Sequence, residues 1–132
     1  MLIGLIKPRK SINKAYLKVK PNRAEIELFK ANLTQLIDQT NDSESEEFHK
    51  NLVIDFLKKT YYDRSADGLT HFVNTKGRND LVIHTGNKAD TPVGVIIEAK
   101  KPTNKSEMVS KENINTKAFQ ELVLPQIVEH QF

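Results

Sequence analysis

The sequence contains no cysteine. That excludes disulfides and thiolate metal ligands, and it suits a reducing, cytoplasmic environment. It has no apolar run long enough to cross a bilayer, so a membrane is not an expected partner. The opening Met1-Leu2-Ile3-Gly4-Leu5-Ile6 is apolar but too short for a signal-peptide core, and its positive charges follow rather than precede it. Internal repeats and low-complexity tracts are missing, which excludes repeat architectures. Acidic residues are absent ahead of Glu25, whereas Lys7, Arg9, Lys10, Lys14, Lys18, Lys20 and Arg23 all stand there. The modest net charge of +3 therefore hides a basic amino-terminal arm, residues 1–20. Such an arm can lie along a phosphate backbone or simply sit in solvent.

What remains fits one domain over residues 21–132. A chain of 132 residues with 38% apolar side chains supports a single modest core. Asn22 with Glu25 predicts a capping box, and Ile26, Leu28, Phe29, Leu33, Leu36 and Ile37 follow near helical spacing to about Thr40. Ser43 with Glu46 predicts a second box, leading a helix with the stripe Phe48, Leu52, Val53, Phe56 and Leu57 to about Thr60. Asp63 to Gly68 reads as a loop. Strand signals follow at His71–Asn74, Leu81–His84 and Val93–Ile97. The last is almost wholly apolar and predicts a central strand buried on both faces. A polar connection leads to a last helix from about Asn115, which Pro125 is expected to kink or end. The class is α/β in the broad sense (α+β), with a mixed sheet of three to four strands flanked by helices.

The chemistry concentrates in Asn79-Asp80-Leu81-Val82-Ile83 and Val95-Ile96-Ile97-Glu98-Ala99-Lys100. Alternate strand residues share a face, so Glu98 and Lys100 lie together, about 7 Å apart along the strand. If the two strands pair as a hairpin with symmetric register, Asp80 stands opposite Glu98 and His84 opposite Gly94. The carboxylates then sit with Cβ atoms roughly 5 Å apart. Like charges so placed need compensation, and a divalent cation with oxygen ligands supplies it. Two carboxylates, a lysine and Mg²⁺, or Mn²⁺ in its place, are sufficient for phosphodiester hydrolysis. The plainer reading makes these polar residues at strand ends. On either reading, His84 is best explained as a hydrogen-bonded strand-end imidazole and His49 as a buried structural histidine.

Asp80 with Glu98-Ala99-Lys100 resembles the signature of the PD-(D/E)xK nuclease superfamily, with Asn79 where many members carry proline. Four further segments resemble the N-terminal nuclease domain of Eco57I-like type IIG restriction-modification enzymes. They are Glu44 to Asn51, Asp55 to Tyr62, Thr75 to Asp80 and Glu98 to Pro102. Asn115 to Leu122 extends the likeness, which spans about Lys14 to Leu124. The resemblance implies a PD-(D/E)xK restriction-endonuclease-like core that cuts double-stranded DNA, with Asp80, Glu98 and the Ala99 carbonyl as metal ligands and Lys100 assisting the attacking water. It also implies a helix glutamate at the metal site, Glu46 or Glu47, and helical phase favours Glu46. Gln120 stands where related nucleases place a glutamine near the scissile phosphate. Lys76, Arg78 and Lys101 flank the acidic edge and are candidates to hold DNA phosphates. The methyltransferase and target-recognition domains of the full enzymes are not expected in this chain. Partners would be DNA, a second copy, or a separate methyltransferase or specificity subunit. The alternative is a nuclease-fold module that binds DNA or such a subunit and cuts weakly or not at all.

Overall fold

The path of the chain starts from its caps. In the computed structural model, which describes residues 6–64, 68–69, 71–76 and 79–129, the arm forms the short helix α1 (Pro8–Ser11) and a 3-10 turn at Lys14–Lys18. Both are exposed. Helix α2 (Arg23–Gln39) begins at Asn22, whose side chain and that of Glu25 make the reciprocal capping box. The next cap is not the expected one. Ser45, rather than Ser43, accepts from the Phe48 backbone at 3.1 Å and starts α3 (Glu46–Leu57). Ser43 is diverted into bonds with Asn41 Oδ1, a local side-chain alternative to helix. A single π turn, Lys58–Tyr62, carries α3 onward.

The expected loop after Tyr62 instead holds two very short antiparallel strands, β1 (Asp63–Arg64) and β2 (Gly68–Leu69). The main sheet follows, formed by β3 (Val73–Lys76), β4 (Asn79–His84) and β5 (Val93–Ile97). Its order is β3-β4-β5, and both pairings are antiparallel. This corrects the mixed sheet predicted above, because consecutive strands joined by short connections pair antiparallel. The order also corrects the place of β5. It is an edge strand among the described residues, with Val93 and Val95 36% and 46% exposed, while Leu81 and Val82 of β4 are 0% exposed. An apolar run alone does not say which strand has neighbours on both sides.

Leu81 and Ile83 with Val73 form the buried cluster, and Val53, Ile54 and Leu57 of α3 pack against it with Tyr62 and Ile97. These sheet residues share one pleat face, which α3 covers at its 3.6-residue spacing. Phe29 of α2 meets Phe56 of α3 edge-on at 5.9 Å. After β5 the chain makes one 3-10 turn at Lys105–Glu107 and enters α4 (Lys117–Glu129). The helix runs through Pro125 instead of ending there. A proline removes one bond of the ladder, which does not by itself terminate a helix. The result is α+β, with helices and a three-stranded antiparallel sheet. No described helix is long and apolar enough to cross a membrane.

Candidate functional site

Three elements bring charge to the end of β5. The β4–β5 register pairs Leu81 with Ile97, Val82 with Ile96 and Ile83 with Val95. One step further along the chain come Asp80 in β4 and Glu98 just beyond β5, the two residues that the assumed symmetric register would set opposite each other. At the other end the register shifts. His84 faces Val93 rather than Gly94, so Gly94 is the extra residue of a β-bulge. The tight return between the strands depends on Gly86, where a Cβ would fall 2.7 Å from Thr91 Cγ2.

Lys100 sits at the centre of the cluster. Its side chain is only 2% exposed, and its Nζ lies 2.9 Å from Glu98 Oε1, whose own side chain is 8% exposed. Nζ also donates to Glu121 Oε2 of α4. Glu46 Oε1, from the first turn of α3, is 3.8 Å away. Three carboxylates thus surround one ammonium, so the group carries excess negative charge. Burial works against the Lys100 charge, but hydrogen bonds to Glu121 and Glu98 and the charges of Glu98 and Glu46 outweigh it and hold the amine well above its ordinary range. The hydrogen bond from Lys100 pulls Glu121 below the usual carboxylate range against the effect of burial, helped by a hydrogen bond with Glu98 and the charges of Lys100 and Lys117.

The other candidates divide. Of the two first-turn glutamates of α3, Glu46 faces Lys100, while Glu47 pairs outward with Lys50 at 2.7 Å. Gln120 is exposed and donates to Asn115 Oδ1 at 3.1 Å, so it does not join the cluster. Its neighbour Glu121 does. Sequence reasoning missed Glu121, because the apolar positions Ala118, Phe119, Leu122 and Val123 centre about equally far from Gln120 and Glu121. The burial of Ala118, three residues before Glu121, marks the inward face. Lys76 is exposed at the end of β3 and Lys101 is half-buried beside the cluster. The Asp80 side chain and Arg78 lie outside the described residues, as does the side chain of Asn79. Ala99 lies between Glu98 and Lys100 with its own contacts. Among the described residues, no three histidine or carboxylate groups converge tightly enough to form a metal cage by themselves. A metal held here would draw on Asp80 as well as Glu98.

Two of the described histidines, His84 and His49, serve the structure. His84 is fully buried. Its Nδ1 lies 2.6 Å from the Thr91 carbonyl, and its Nε2 lies 3.3 Å from Asn74 Nδ2. That arrangement sets Nδ1 as donor and Nε2 as acceptor. His49 is also buried. It bridges the Ser45 carbonyl at 2.7 Å and the Asn41 backbone N–H at 3.3 Å, tying the start of α3 to the end of α2.

Residues 6–130 match the family model described as Domain of unknown function (DUF7149). The chain belongs to this family. The DUF7149 match covers α1 through α4, so every member of the Lys100 cluster lies within it. No curated protein and no solved structure matches the chain.

Proposed function

We propose that this DUF7149 domain is a metal-dependent DNA endonuclease, the cleavage domain of a type IIG-like restriction-modification enzyme built on a PD-(D/E)xK core. The observation that carries the reading is the convergence of Glu98 and Lys100 with Glu46, at the strand end where Asp80 is the next residue in register. The residues fit a hard cation in kind, because oxygen donors dominate and negative charge exceeds positive. Asp80 and Glu98 would hold it, with the Ala99 carbonyl as the resemblance suggests. Mg²⁺, or Mn²⁺ in its place, would supply Lewis acidity there, lowering the pKa of a water and neutralising charge on a phosphoryl oxygen. Lys100 keeps a buried positive charge beside that position and stabilises charge developing on the phosphorus oxygens. Hydrolysis would join the water oxygen to phosphorus as that water gives up a proton, and would break the bond to the leaving sugar oxygen, which takes a proton up. Lys76, Arg78, Lys101 and the basic arm hold duplex phosphates.

The binding-module reading draws on the same cluster, since Lys100 already pairs closely with Glu98 and Glu121. One experiment separates the two. Supercoiled plasmid is incubated with the protein in Mg²⁺ or Mn²⁺, with Lys100→Ala and Asp80→Ala as controls. Nicked and linear products from the wild type, lost in both variants, are expected. No cleavage at high protein, together with no calorimetric metal binding, would sink the nuclease reading. Cleavage that survives both substitutions would trace to a contaminant.

A further inference from the structure

We infer that Glu121 is a positioning residue, whose carboxylate clamps the Lys100 ammonium in place beside Glu98. Its catalytic consequence rests on the nuclease reading above. A lysine is a compact charge on a flexible four-carbon stem, so its head goes where its acceptors hold it. Two of the neighbouring carboxylates contact Nζ directly. Glu98 is only two residues away on the same segment, and a contact within one segment does not tie the ammonium to the rest of the fold. Glu121 lies 21 residues further on, in α4. It therefore ties Nζ to a second element, α4. Its two oxygens divide the work, with Oε2 on Lys100 and Oε1 4.0 Å from Lys117 Nζ. Lys117 in turn lies 3.6 Å from Glu107 Oε1. Glu46, at 3.8 Å, is beyond hydrogen-bond reach and acts through charge alone.

The clamp would matter most if Glu98 were drawn to a metal, since Lys100 would then lose one of its two close acceptors and keep only Glu121. Holding a catalytic group to within a fraction of an ångström separates a productive site from one that is merely present.

The test compares full-length wild type with Glu121→Gln, Glu121→Asp and Glu46→Gln. The readouts are ¹⁵N-resolved spectra of the lysine ammonium groups, Mn²⁺ binding by calorimetry, and plasmid cleavage. The Lys100 signal is identified by its loss in Lys100→Met. A clamped ammonium exchanges its protons slowly. Glu121→Gln should speed that exchange by about tenfold or more, Glu46→Gln by less than about threefold, and Glu121→Asp should fall between wild type and Glu121→Gln. Mn²⁺ affinity of Glu121→Gln should stay within about twofold of wild type, while kcat falls about 10- to 100-fold at a KM changed less than about threefold. Unchanged Lys100 exchange in Glu121→Gln overturns the clamp. Mn²⁺ affinity reduced about tenfold in that variant also overturns it, and makes Glu121 a metal ligand instead. If Glu121→Gln does not fold, Glu121→Asp carries the same comparison. If the wild type neither binds Mn²⁺ nor cuts, the nuclease reading falls, and the exchange spectra still decide the role of Glu121.

Discussion

At the scale of single residues, position on a helix turn separates structural from chemical side chains. Glu46 and Glu47 are neighbours, yet one faces Lys100 and the other, itself exposed, pairs with the buried Lys50. The 100° step between successive helical residues decides this, and it was legible from the stripe of Leu52, Val53 and Phe56. The same step separates Gln120 from Glu121, but the polar connection ahead of α4 left the phase of that helix poorly defined. Tyr62 illustrates burial acting on a single group. Its ring meets His71 at 5.5 Å and packs on the buried cluster. Burial, then the charge of Tyr61, raises its phenol above the ordinary value of 10.0. A raised folded value means that the unfolded chain releases its proton first as pH climbs. The stabilisation is therefore complete below about pH 10 and is lost as pH rises through the folded value. Thermal unfolding midpoints should fall above about pH 10, and Tyr62→Phe should flatten that decline. Equal slopes for the two proteins would refute this.

Caps and neighbours govern the elements. The Ser43–Glu46 pair has capping-box spacing, but Ser45 is one position before the first helical residue and takes the Phe48 N–H. Spacing alone did not distinguish the two serines. The Asn41 side chain did, by engaging the Ser43 backbone N–H and hydroxyl. Ser45→Ala should lose about 1 kcal/mol in urea unfolding, and Ser43→Ala only a few tenths. Comparable losses for the two would return the cap to Ser43. The strands show the same limit. Val93–Ile97 is the more continuous apolar run, yet it is in β4 that Leu81, Val82 and His84 have no exposure. Strand order assigns burial, and it is a property of the whole sheet.

On the whole-molecule scale, an exposed basic arm and an acidic cluster with a buried lysine at its centre occupy one small α+β fold. The arm shows no burial at any described position from Ile6 to Arg23, so its cations are available to a polyanion. Duplex binding should weaken steeply between about 50 and 200 mM salt, and a chain lacking residues 1–20 should show a shallower dependence. Fluorescence anisotropy with labelled duplex measures both, and affinity indifferent to salt would remove the arm from the interface.

Local chemistry was readable directly. The Asn22–Glu25 box follows from side chains three residues apart, whereas the hairpin register from Leu81 to Ile83 was an assumption that strand pairing bears out, and Glu98 meets Lys100 just beyond the end of β5. Other features depended on residues far apart in the chain. These were the antiparallel order that makes β5 an edge, the bulge at Gly94 that sets His84 against Val93, and the arrival of Glu121 at Lys100. Each is decided when separately formed elements pack together, and periodicity within one element carries no information about what another will bring to its face.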